Sequence, residues 1–203
     1  MAGIMRKSDI THYDFPQRDP RDFNVVWRNT EPLHWRLTGS KDPMTAPEVL
    51  DDYARDPYLI IRRNVAKNPN ASKETLARLA NDSDARTRIF VAQNPKTSAR
   101  TLERLLSGDC DVYMYRNVAV HPNATGGILA QLAKHEDGVV RYNVARHPNA
   151  MKVTLSELLE DSYESIREMA RKKLKAMEKE ILKPAVQPTM KPTEHYYGKG
   201  VFM

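Results

Sequence analysis

A single cysteine, Cys110, in 203 residues excludes a disulfide scaffold, a Cys-ligated iron–sulfur cluster and a four-thiolate zinc site, and it suits a reducing compartment. No stretch of about 18 apolar residues occurs, and the opening MAGIMRKSDI holds no apolar core, so neither a membrane span nor a secretory leader is expected and the cytoplasm is the expected location. Ala2, in place of glycine, excludes N-myristoylation. Gly126-Gly127 has no lysine after it and no strand before it, so there is no phosphate loop; HExxH and paired Cys/His spacings are also missing. Charge of one sign is in short supply too. The net charge is +6, and it divides into 5 basic and 5 acidic residues over 1–34, 24 and 20 over 35–182, and 3 and 1 over 183–203. Nothing in that division is concentrated. A duplex-binding face needs clustered Lys/Arg, and a surplus of +4 over 35–182 supplies one only if the acids all face elsewhere.

What the chain does have is a repeat. Pro43, Pro69, Pro95, Pro122 and Pro148 are spaced 26, 26, 27 and 26 residues apart, and a fixed period of this size decides the architecture. Seven residues after each proline stands a leucine: Leu50, Leu76, Leu102, Leu129, Leu155. Apolar residues follow three and four positions later, at Tyr53/Ala54, Leu79/Ala80, Leu105/Leu106, Leu132/Ala133 and Leu158/Leu159, which is one face of a short helix. A second helix per unit is read from Ile61-Val65-Ala66, Thr87-Val91-Ala92, Met114-Val118-Ala119 and Val140-Val144-Ala145. It closes before each proline, which lacks the N–H for another helical bond and drives Asn68, Asn94, His121 or His147 out of the α region. Asp84, Asp111 and Asp137 stand at N-cap positions and Pro47 at a first helical position. Gly126-Gly127, at a helix start, mark the weakest unit.

Helices of about two turns do not persist alone in water, so the units must stack. The segments IRRNVAKNPNASKETLARLANDSDARTR and RYNVARHPNAMKVTLSELLEDSYESIR resemble the variant leucine-rich repeat, a HEAT-like family, over roughly residues 35 to 170. The resemblance implies a right-handed superhelix in which an α-helix alternates with a second, often 3₁₀, helix. Some members carry a cysteine-rich iron–sulfur segment ahead of the repeats, and this chain has no counterpart. The expected fold is therefore all-α: a right-handed α-solenoid of about five 26-residue helix-pair repeats, the second helix short or 3₁₀, over residues 35–182. At the front, Trp35-Arg36 falls one period before Ile61-Arg62 with Gly39 in the valine position, a degenerate half-unit. At the back, Leu174 replaces the next proline, and Ile166, Ala170, Leu174, Met177 and Ile181 form one stripe of a capping helix over about 163–183.

Residues 1–34 and 183–203 lack periodicity and read as extended arms. Pro184, Pro188 and Pro192 favour a polyproline-like spacer ending in Tyr196, Tyr197 and Phe202, while the N-terminal arm carries Tyr13, Phe15, Phe23 and Trp27. The arms hold 7 of the chain's 15 aromatics, whereas solvating linkers are depleted in them, so these seven are the candidate partner-binding residues.

Inside the repeat, Arg36, Arg62, Arg88, Arg141 and Arg167 occupy one column, with Tyr115 in the remaining unit. The column reads either as a structural Asp–Arg ladder, with Asp84 and Asp137 four residues ahead of Arg88 and Arg141, or as a surface for an acidic partner; the ladder is favoured. His121 and His147 share another column and are expected to face each other across adjacent units, too few for a metal site. Cys110, flanked by Asp109 and Asp111, is a poor thiolate. No catalytic residue, cofactor site or metal site is expected. The leading expectation is a non-enzymatic structural or adaptor protein in a larger assembly, such as a bacteriophage virion, whose arms clasp neighbouring subunits, including copies of itself. A nucleic-acid-binding solenoid using the arginine column is the alternative, and a cytosolic adaptor holding one peptide in its concave face is a third.

Overall fold

A computed structural model describes residues 32–108 and 111–181, without the side chains of residues 180 and 181. Both arms, with Tyr13, Phe15, Phe23, Trp27, Tyr196, Tyr197 and Phe202, lie outside the described residues, as do Asp109 and Cys110. The fold is all-α, with no strand among the described residues. Six helices carry the valine–alanine motif or its end variants: α1 (Leu33–Lys41), α3 (Leu59–Lys67), α5 (Ala85–Gln93), α7 (Val112–Val120), α9 (Gly138–Arg146) and α11 (Glu164–Ile181). Between them lie the leucine-bearing helices α2 (Pro47–Tyr53), α4 (Lys73–Leu79), α6 (Ala99–Leu106), α8 (Gly126–Leu132) and α10 (Lys152–Glu157). The first ten helices are 6 to 9 residues long and all are α-helical; the 3₁₀ form expected from the family resemblance occurs among the described residues only at Leu158–Glu160. Straight-chain and alanine-rich sequences such as KETLARL and ARTLERLL have no reason to tighten to the poorer 3₁₀ geometry.

The starts of α2 and of α4 to α9 each have a local cause. Asp84, Asp111 and Asp137 accept the backbone N–H of Thr87, Met114 and Val140, and Ser72, Ser98 and Thr125 do the same for Thr75, Thr101 and Ile128. Pro47 opens α2 at a position where its missing N–H is not needed. Gly126 opens α8, a leucine-bearing helix, and its lack of a Cβ admits the side chain of Met151, whose Cγ would lie 2.7 Å from one.

The odd-numbered helices pack side by side in chain order; α2, α4, α6 and α8 each pack against the odd helices on either side, and α10 packs against α11. The repeated apolar residues close a continuous core. Leu50, Leu76, Leu102, Leu129 and Leu155 are all fully buried, as are Val65, Val91, Val118 and Val144 and the alanines beside them. At the back, α11 runs 18 residues with Ile166 and Ala170 buried and Leu174 and Met177 packed against the core.

The front end departs from the repeat by a matched pair of changes. Gly39 stands one period before Val65, and Tyr53 one period before Leu79. A Cβ on Gly39 would sit 3.1 Å from Cε2 and Oη of Tyr53, so the larger ring at one position needs the absent side chain at the other. Gly39→Val, which restores the residue of the other units, should therefore lower stability by about 1–3 kcal/mol through overpacking. Gly39→Val with Tyr53→Leu should recover most of the loss, as read from urea midpoints of the two variants.

Candidate functional site

Three sets of side chains run across the units, and they account for most of the chemistry-bearing residues. The first grows from the residue before each proline. Because proline fixes that residue outside the helix, its side chain is free to turn back to the previous unit. Asn68 Nδ2 donates to the carbonyls of Ser40 (3.1 Å) and Asp42 (2.8 Å), and Asn94 Nδ2 to those of Ala66 (2.8 Å) and Asn68 (3.0 Å). His121 and His147 continue the series, with Nε2 at 2.8 Å from the carbonyl of Asn94 and 2.9 Å from that of His121. On the other side of each group, Oδ1 of Asn68 and Asn94 or Nδ1 of His121 and His147 accepts the backbone N–H two residues on, at 2.8 to 3.1 Å. The asparagines after the prolines add a second strand of bonds: Asn70, Asn123 and Asn149 donate to Thr45, Thr97 and Ala124 carbonyls of the preceding turn.

These contacts correct the expectation that the two imidazoles face each other. Each ring faces a backbone carbonyl of the unit before it. A backbone N–H can only donate, so Nδ1 accepts and Nε2 carries the proton, which makes both rings neutral. Burial pushes both histidines below their ordinary value, against the carbonyl bonds, which raise it. Lys173 stands one period after His147; burial lowers its pKa, and its Nζ is buried without a hydrogen bond. No group of three or more metal-ligating side chains occurs among the described residues.

The second set is the arginine column. Arg62 forks onto Asp82 of the next unit (Nε–Oδ2 2.6 Å, Nη2–Oδ1 3.1 Å), and Arg141 onto Asp161 with the same distances. Arg36 pairs with Asp56. The Nη1 of these and neighbouring arginines reaches back to the loop ahead of its own helix: Arg62 to the Asp56 carbonyl, Arg88 to Asp82, Arg141 to His135, each at 2.8 Å, and Arg167 to Asp161. Arg167 also pairs with Glu164. Where Tyr115 replaces arginine, His135 replaces aspartate, and the two rings meet at 4.4 Å, tilted by 43°. In the unit that follows Arg88, Gly108 holds the aspartate position.

The third set explains why the expected i, i+4 pairs do not form. Asp84 and Asp137 do not bind Arg88 and Arg141. Each bends onto the first turn of its own helix and presents its remaining lone pairs to the previous unit, where Arg63 and Arg116 take them bidentately. Arg63 holds the Asp84 carboxyl well below the usual carboxylate range, and Arg116 holds that of Asp137 down to about 2. Sequence reading missed Arg63 and Arg116 because the pairing spans 21 residues; the signal was there in the N-cap aspartates of α5 and α9, each 21 residues after an arginine.

Charge is not evenly spread after all. No Asp or Glu occurs in α1, α3, α5, α7 or α9, which are nine residues each. The acids lie on the even-numbered helices, on α11 and in the loops, a segregation that whole-segment sums erase and a helix-by-helix count would have found. Apolar side chains stay open to solvent on the same helices, with Ile60 44%, Tyr113 60% and Val139 48% exposed. Neighbouring odd helices also touch on this face: Lys67 Nζ lies 3.8 Å over the Phe90 ring and Gln93 donates to Asn117. A shallow depression of about 460 Å³ lies between His135, Arg141, Glu157 and Asp161. No helix among the described residues is long and apolar enough to cross a membrane. Compared with family models, with curated proteins and with solved structures, the chain has no match.

The histidine series carries a pH consequence. With folded pKa values below the ordinary 6.5, the native state binds fewer protons than the unfolded chain, so this stability is present above about pH 6.5 and lost as pH falls through the folded values. The carboxylates paired with Arg63 and Arg116 act in a separate window, losing their contribution only below their ordinary value of 3.8. Replacing both histidines with asparagine, the residue of the equivalent positions 68 and 94, should keep the cross-unit bonds. The urea midpoint should then hold nearly constant between pH 7.5 and 5, where the parent protein loses stability.

Proposed function

We propose that the chain is an α-solenoid of the variant leucine-rich repeat, HEAT-like kind, and that it acts without catalysis, as a structural or adaptor protein joined to a larger assembly by protein–protein contacts. Support for the architecture comes from the same cross-unit bonds recurring at the same repeat positions. Support for the function comes from one observation above the others: large apolar side chains remain exposed on one set of helices. Leu59, Ile60, Tyr113, Val120 and Val139 lie on odd-numbered helices, whereas Val153 is the one such residue on an even-numbered helix among the described residues. Exposed apolar side chains gathered on one set of helices are what a binding face presents.

The polar groups that sequence reading offered for chemistry are engaged in holding the units together. Both nitrogens of His121 and His147 have backbone partners, and Arg62 and Arg141 each carry a bidentate carboxylate. The same engagement weakens the alternative of a nucleic-acid-binding solenoid, because a guanidinium forked onto aspartate has less to offer a phosphate. A bacteriophage particle latched by the aromatic arms is the specific assembly we favour, with copies of the chain itself among the neighbours.

Two measurements test the reading. A photo-crosslinking residue placed at Tyr113 or Val139 in the native host should yield discrete protein adducts, while the same residue at Glu74 or Glu103, on even-numbered helices, should not. Adducts from the even positions alone, or adducts to nucleic acid, would count against it. A chain cut to residues 35–182 should join its assembly more weakly than the whole; unchanged affinity would remove the arms from the proposal.

A further inference from the structure

Ten Lys and Arg residues and no Asp or Glu stand on the five helices α1, α3, α5, α7 and α9. Five of the ten, Arg36, Arg62, Arg63, Arg116 and Arg141, are neutralised by aspartates at the N-terminal ends of the helices. Of the rest, Lys41, Lys67, Arg86 and Arg146 are exposed. Lys41, Lys67 and Arg146 lie in last turns, where the helix dipole by itself favours a cation. Arg86 does not: it is the second residue of α5, at the end where the dipole disfavours positive charge. It shares one repeat position with Ile60, Tyr113 and Val139, so that the row reads apolar, basic, aromatic, apolar from unit to unit, with neighbouring helices about 10 Å apart.

Resting on the reading of the chain as a protein-binding scaffold, we infer that the row Ile60, Arg86, Tyr113 and Val139, flanked by Lys67 and Arg146, is the docking surface, and that its occupant is an acidic, amphipathic segment of another protein. Carboxylates on such a segment meet cations that form no ion pair among the described residues, and its aliphatic or aromatic residues cover the apolar positions between them. A nucleic-acid backbone fits less well, since it asks for cations in unbroken succession and here apolar side chains interrupt them.

The full-length, ¹⁵N-labelled protein can be titrated with four defined probes: poly(Glu,Tyr), poly(Glu), poly(Lys,Tyr) and a 20-nucleotide oligo(dT). Poly(Glu,Tyr) should bind most tightly and move the amide signals of residues 60, 86, 113 and 139. Arg86→Glu with Arg146→Glu should weaken that binding at least tenfold with unchanged circular dichroism, while Lys73→Glu with Lys152→Glu on the even-numbered helices changes it less than twofold. Poly(Lys,Tyr) binding in preference at the same signals would overturn the acidic partner and leave the scaffold reading standing. Oligo(dT) binding as tightly as poly(Glu,Tyr) at those signals would overturn both. Binding of poly(Glu,Tyr) away from these signals, or none at millimolar concentration, would overturn the surface.

Discussion

Everything in the molecule depends on a hydrogen bond that no single repeat can make: the side chain ahead of each proline reaching back to a carbonyl of the unit before. Helices of 6 to 9 residues are below the length at which helix formation sustains itself in water, so a unit has order only if a neighbour supplies it. Fully buried leucines and valines provide most of the driving force, but apolar contact has no direction and would tolerate sliding. The amides of Asn68 and Asn94 and the imidazoles of His121 and His147 remove that freedom. Each bonds a carbonyl of the preceding unit and, with its other polar atom, fixes its own turn.

Around that core of bonds the aspartates do two jobs at once. Asp84 and Asp137 cap their own helices and anchor Arg63 and Arg116 of the preceding unit, so loss of one carboxylate would disturb a helix end and a unit boundary together. Partly exposed pairs of this sort are individually weak. Their importance here is geometric: they hold negative charge at the helix ends, while the bodies of α1, α3, α5, α7 and α9 are without acids. A nearly balanced sequence thereby acquires a face of one sign, with apolar residues set among its cations.

Much of the fold was legible because its signals are local. The leucine seven residues after each proline, the valine–alanine pair before it and the aspartate caps each sit within one or two turns, and each took the expected place. Gly39 was legible as a departure, but its reason was not: the ring that needs the space belongs to Tyr53 on the next helix. Likewise the prolines were read as helix stops, which they are, while the more consequential property of the Asn-Pro and His-Pro pairs, the cross-unit bond, spans 26 to 28 residues. Arg88 and Arg141 were expected to pair four residues back. Arg36, Arg62 and Arg141 instead pair 20 residues ahead, because a capping carboxylate is already turned toward its own helix and the next unit's loop offers a free one.

The amino-acid sequence by itself determined the period, the helix ends and the residues of the core, since apolar spacing, proline geometry and side-chain capping act within a few residues of one another. Tertiary structure alone decided which polar groups are engaged and which are open. Whether Arg62 is a structural tie or a binding group depends on an aspartate one unit away, and whether Ile60, Arg86, Tyr113 and Val139 form a surface depends on short helices lying side by side. Both are matters of distance in space, set by how successive units register on one another, and for residues about 26 positions apart the order of the chain carries no such distance until the units stack.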